Sequence, residues 1–177
     1  MTNLERLLSQ YAAYHLDRNN ILTHFIGIPL IVFSILCLTA RAGVEISSVS
    51  VTLASILILL STIYYISLDK LFGILMLIIF IAVYPLAIKI AALPMWSWLG
   101  ASIGIFVVGW VFQFIGHYFE KKKPAFVDDL IGLAIGPLFV LAEFIFMLGF
   151  RKPLHQRILK EAQMKRAEMD MKPQTIS

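Results

Sequence analysis

Five apolar blocks, each close to the length that carries a helix across a bilayer, fill most of this chain and leave it few ways to fold. They cover residues 21–40, 49–67, 71–91, 96–117 and 130–150. A spanning helix takes about 20 apolar residues. The chain has 177 residues, of which 59% are hydrophobic and 15% charged, whereas a soluble domain is about a quarter charged. The expected fold class is therefore all-α, an integral membrane helical bundle. A length of 177 residues leaves no room for a separate soluble catalytic domain. One membrane domain is expected over residues 1–177.

The blocks differ in character. Within residues 1–20, Leu4, Leu7, Leu8, Tyr11 and Tyr14 fall at helical spacing, with Glu5, Arg6, Ser9 and Gln10 opposite. This pattern predicts an amphipathic helix that lies on the membrane or caps the bundle. Asp17, Asn19 and Asn20 interrupt it, and Asn20 is the expected N-cap of span 1. Arg41, Gly43, Glu45 and residues 46–48 connect to span 2, and Asp69 and Lys70 mark the turn to span 3. Pro85 predicts a kink and Lys89 a snorkelling end in span 3. Pro94 marks the next turn, and Trp96 and Trp98 fit an aromatic belt. The fifth block holds Gly132, Gly136-Pro137 and Glu143, so a broken helix is expected there. Such a break at membrane depth must be buried in protein or line a cavity.

Charge points the same way. Lys121, Lys122 and Lys123 precede the fifth block, and Arg151, Lys152, Arg157, Lys160, Lys165 and Arg166 follow it. Basic clusters stay cytoplasmic, so a re-entrant fifth segment satisfies both. The expectation is four full spans plus a broken, re-entrant fifth, with both termini and a tail over 151–177 cytoplasmic. Five full spans is the alternative. The net charge of +4 suits anionic lipid headgroups, and no basic stripe with interleaved aromatics suggests nucleic acid. Cys37, the single cysteine, lies inside an apolar block, which argues against disulfides and cysteine-ligated zinc. The first apolar block follows about 20 polar or amphipathic residues, so no cleavable signal peptide is expected.

On that topology all four histidines, His15, His24, His117 and His155, face one interface. His24 lies in the first turn of span 1 and His117 in the last turn of span 4. His15 and His24 would sit on opposite faces of an unbroken helix, so they converge only if the chain bends, and residues 17–20 supply the bend. Gln113, His117 and Glu120 share a helix face. Glu120 is a candidate ligand, a partner orienting His117, or a mate for the neighbouring lysines. Asp128 and Asp129 read as helix caps. Glu143, among Ala142, Phe144 and Phe146, is costly without a partner. Imidazole and oxygen ligands without a thiolate suit non-haem Fe(II), Mn or Zn. No HExxH or HxxxH spacing occurs.

The pattern Tyr14-His15, Asn19, His24, Gly27, Pro29, then Gln113, Gly116-His117, Glu120, Pro124-Ala125, Gly136-Pro137, Phe139 and Glu143, resembles the Mpo1-like family. The resemblance runs from about Tyr11 to His155; spans 2 and 3 carry no motif residues. It implies an Fe(II)-dependent dioxygenase of the endoplasmic reticulum or the bacterial inner membrane. The implied reaction is α-oxidation of a 2-hydroxy fatty acid to the acid one carbon shorter. It makes His15, His24 and His117 the iron-ligand candidates, with His155 added from its Gly-Phe-Arg-Lys-Pro context. Glu120 and Glu143 are the candidate catalytic carboxylates, and Arg18, Asn19 and Gln113 the candidate substrate contacts. Dioxygen, the hydroxy acid and membrane lipids are the expected partners. Two other classes remain open: a metal-free transporter or lipid-binding scaffold with a His/Glu proton relay, and a zinc-dependent lipid hydrolase.

Overall fold

The computed structural model describes residues 1–46, 49–122 and 131–171. These form α1 (Asn3–Ala12), α2 (Arg18–Thr39), β1 (Gly43–Ile46), β2 (Val49–Thr52), α3 (Leu53–Leu68), α4 (Lys70–Ala91), α5 (Met95–Glu120), α6 (Ile131–Met147) and α7 (Lys152–Met171). The chain divides into two compact units, residues 1–22 with 115–177, and residues 23–114. The division falls inside α2 and α5, each of which is one unbroken helix.

The first unit is built on α1. Thr2 and Glu5 form a capping box: Glu5 N donates to Thr2 Oγ1 at 3.2 Å, and Thr2 N to Glu5 Oε2 at 2.8 Å. Leu4, Leu7, Leu8 and Tyr11 are buried, and α1 packs on α6 and α7. The amphipathic segment thus caps a helical cluster. Its partner α7 turns Leu154, Ile158 and Ala162 inward, a single stripe at four-residue spacing. Arg157 Nε donates to Glu5 Oε1 at 2.7 Å. The Thr2 amide, with Arg157 beside it, holds the Glu5 carboxyl below its ordinary range. In α6, Ile135, Leu138, Phe139 and Ala142 are buried.

The second unit pairs α2 with α5. Ser34 Oγ donates to Ser102 O at 2.8 Å, and Trp98 Nε1 to Cys37 O at 2.8 Å. At the other end of the pairing, Gly27 meets Gly109 and Gln113. Rising numbers on α2 meet falling numbers on α5, so the two helices are antiparallel. The start of α2 and the end of α5 therefore share one end. Arg41 closes the opposite end, donating to Ala91 O at 3.2 Å and Leu93 O at 2.9 Å, with its guanidinium 4.7 Å from the Trp98 ring centre. Among the described residues α2, α4 and α5 are long and apolar enough to cross a membrane. Leu59, Leu60 and Ile63 on α3 and Ile78 and Ile81 on α4 lie exposed, as lipid-facing residues do; the pattern is that of a membrane protein.

Several local expectations change. The block over 49–67 begins as a strand: β1 and β2 form an antiparallel hairpin, and α3 starts only at Leu53, where Thr52 and Ser55 make a capping box. Asp17, not Asn20, caps α2, because its Oδ1 accepts from Asn19 N at 2.7 Å and Asn20 N at 3.2 Å. The expected break at Gly136-Pro137 is absent: α6 is one helix with Pro137 inside. Buried residues on both sides of the proline, Ile135 before it and Leu138, Phe139 and Ala142 after it, hold the helix through the lost hydrogen bond. At 17 residues α6 is also shorter than the expected fifth block. Leu130, Ser48, the caps Asp128 and Asp129, Lys123 and the motif pair Pro124-Ala125 lie outside the described residues.

Glycine positions separate packing from propensity. A Cβ at Gly73 would lie 2.5 Å from Ile66 N and 2.7 Å from its Cα, whereas one at Gly100 would meet nothing within 4 Å. Gly73→Ala is expected to destabilise the α3–α4 hairpin by about 1–3 kcal/mol through overpacking. Gly100→Ala is expected to be neutral or stabilising by up to about 1 kcal/mol. Thermal unfolding in detergent distinguishes them.

Candidate metal centre

Three short-range features bring the histidines to one place. First, α1 stops at Ala12 and the chain turns through residues 13–17 before α2 begins. In that turn His15 N donates to Ala12 O at 2.8 Å. The His15 ring stacks on Tyr11, with centroids 4.2 Å apart and planes 5° from parallel. Phe139 of α6 closes the apolar side, 4.9 Å from Tyr11 and 5.6 Å from His15 between ring centres. Burial pushes the Tyr11 hydroxyl above its usual range. Second, α5 carries His117 in its last turn and ends where Lys121 enters the left-handed region at φ 54. The His117 ring meets His15 edge to face at 5.0 Å. Third, α2 carries His24 one turn beyond Asn20, fully buried.

The ligand-type nitrogens of His15, His24 and His117 all lie within 4.8 Å of one another. Nitrogens on one metal ion, each about 2 Å from it, stand up to about 4 Å apart. Small rotamer adjustments therefore suffice to close the three on a common ion. His15 is set up for this chemistry. Its Nδ1 contacts Tyr11 O at 2.7 Å. A carbonyl only accepts, so Nδ1 carries the proton and Nε2 the lone pair, the arrangement that fixes a ligating imidazole in one tautomer. Three buried imidazoles without a thiolate fit a divalent first-row metal such as Fe(II), with coordination positions to spare.

A buried carboxylate holds this geometry. Glu120, at the end of α5, has a side chain 2% exposed. Its Oε2 accepts from Asp17 N at 2.8 Å and from Asn20 Nδ2 at 3.0 Å. Its Oε1 accepts from Arg166 Nη1 at 2.7 Å, and Arg166 also donates to Ala13 O at 2.7 Å. Asn20 Nδ2 reaches Tyr14 O at 3.3 Å. One carboxylate thus ties the turn bearing His15, the start of α2 and the end of α5 to α7. Among the described lysines, the neighbour Lys122 pairs with Asp170 instead, and that lysine holds the Asp170 carboxyl below its usual range.

The remaining sequence candidates stand elsewhere. His155 stacks on Phe146, centroids 4.6 Å apart at 15°, outside the three-histidine group; burial lowers its basicity. Glu143 is half-buried on α6 and is likewise not in the group. Arg18 and Asn19 are exposed at the start of α2. Gln113 is buried, one turn before His117. Asn20 and Arg166 were not singled out as site residues in the sequence. Asn20 has a signal, its four-residue spacing from His24; Arg166 has none for this site, because Glu120 and Ala13, which it meets there, lie more than 40 residues away.

The family model described as "2-hydroxy-palmitic acid dioxygenase Mpo1-like" matches residues 1–148. The 2-hydroxy-palmitic acid dioxygenase MPO1 of Saccharomyces cerevisiae is 31% identical over 180 residues, covering 98% of this chain and 98% of that protein. No solved structure matches. The matched residues contain His15, His24, Gln113, His117 and Glu120, while Arg166 falls beyond the family model.

Glu120 is buried and the half-buried Arg166 supplies its counter-charge, so removing Arg166 is expected to cost up to about 3 kcal/mol. Arg166→Met should lower the melting temperature and the retained metal together, measured by thermal unfolding and elemental analysis. Metal content unchanged from wild type would show that the clamp does not hold the histidines.

Proposed function

The chain belongs to the Mpo1-like family, and from that premise we propose that it is an iron(II)-dependent membrane dioxygenase that shortens 2-hydroxy fatty acids by one carbon. The grouping of His15, His24 and His117 carries this reading. These three residues would hold the metal, whose contribution when bound is activation of dioxygen beside the substrate. The reaction RCH(OH)COOH + O2 gives RCOOH + CO2 + H2O closes without a further reductant, so the hydroxy acid supplies the electrons.

The protein residues do the positioning. The Tyr11 carbonyl keeps the His15 proton on Nδ1. Phe139 and Tyr11 keep water from the ring faces of His15. Glu120, clamped by Arg166 and Asn20, sets the spacing between the turn at His15 and the end of α5. The site lies where α2 begins and α5 ends, so an acid at the membrane interface brings its polar head to the histidines while its acyl chain stays among apolar helices. The membrane is the bacterial inner membrane or that of the endoplasmic reticulum, with both termini on the cytoplasmic side.

Protein purified from cells grown without metal supplementation is expected to contain iron and to convert 2-hydroxypalmitate to the acid one carbon shorter, followed by mass spectrometry and oxygen uptake. His15→Ala, His24→Ala and His117→Ala should each lose the metal, and His155→Ala should keep it. Wild-type protein that holds zinc and consumes no oxygen would instead support the hydrolase class.

A further inference from the structure

We propose that Gln113 is the residue that binds the substrate's acidic headgroup, its amide N–H donating to a carboxylate or hydroxyl oxygen of the 2-hydroxy fatty acid. The inference rests on the dioxygenase reading of the site. Gln113 is only 6% exposed, and its Nε2 finds no hydrogen-bond partner among the described residues. An amide N–H left so is costly unless an acceptor arrives.

The position of that amide is built by glycines. A Cβ at Gly27 would fall 2.3 Å from Gln113 Nε2 and 2.7 Å from Gly109 O. A Cβ at Gly109 would fall 2.7 Å from Ile31 Cγ1 and 2.9 Å from Gly27 O. The amide therefore lies against bare backbone, in space that any other residue at position 27 would fill. Gly27 is three residues past His24 on α2, and Gln113 is four residues before His117 on α5. In antiparallel helices those two offsets run the same way, away from the shared helix ends and towards the helix middles. Gln113 thus occupies the layer next to the imidazoles on the apolar side. An acid whose chain lies among the helices passes its headgroup through that layer on the way to the histidines. A carboxylate there is the strongest acceptor the amide can find.

The test uses the full chain in lipid nanodiscs, loaded with Fe(II) under anaerobic conditions so that no turnover occurs. Binding of 2-hydroxypalmitate is measured by calorimetry, beside iron content and melting temperature. Gln113→Leu should keep wild-type iron and stability yet bind the acid roughly 10- to 100-fold more weakly, the loss of a hydrogen bond to a charged group. Gln113→Glu should bind more weakly still, because two carboxylates repel. If neither variant folds, Gln113→Asn keeps the amide but withdraws it by one methylene, and weaker binding at full iron content is expected. Unchanged affinity in these variants overturns the proposal while leaving the dioxygenase reading intact. Wild-type protein that takes up iron but binds no 2-hydroxypalmitate overturns both.

Discussion

Glu120 carries the constraint on which the rest of the first unit depends. A carboxylate withdrawn from water is tolerated only when its charge and its lone pairs are met. Here Arg166 meets the charge, and Asp17 N and Asn20 Nδ2 meet the remaining oxygen. The partners come from the start of α2 and from α7, so satisfying one side chain fixes where α2 begins, where α5 ends and how α7 lies beneath the turn at Ala13. The ring of His15 is then fixed by Tyr11 and Phe139. Glu120 is thus a positioning residue: both of its oxygens are engaged by donors of this network.

The second unit is held together by a different device. Close approach of backbones joins the helices there, and Arg41 closes their far end. Gly27 and Gly109 let α2 and α5 meet backbone to backbone, as small residues do where lipid supplies no hydrophobic drive between helices. Ser34 and Trp98 then satisfy carbonyls farther along the same pair. This crossing makes the helices antiparallel, so a histidine early in one and a histidine late in the other belong to the same end.

Much of this was legible in the sequence, and the reasons for the misses are physical. Apolar length alone marked α2, α4 and α5, since a run of that kind has no other stable form in lipid. A bend between His15 and His24 was legible because nine residues of helix cannot put both rings on one face, but it falls at residues 13–17 and not at 17–20, since Arg18, Asn19 and Asn20 already belong to α2. The hairpin over Gly43–Ile46 and Val49–Thr52 was missed because β-branched residues suit a strand as well as a bilayer helix. Pro137 was read as a break because local chemistry favours one; burial of α6 on both sides of it overrides that preference. Asp17 took the cap from Asn20 because α2 starts at Arg18, before the apolar block begins. Arg166 was invisible, since only tertiary packing brings α7 to the end of α5.

The central claim is that His15, His24 and His117 hold one iron ion. X-ray absorption at the iron edge, on full-length protein loaded with one equivalent of Fe(II), tests it most directly. The account predicts multiple scattering from several imidazole rings, weakened in His24→Ala and intact in His155→Ala. A spectrum without imidazole scattering, or one unchanged when all three histidines are replaced, would contradict it.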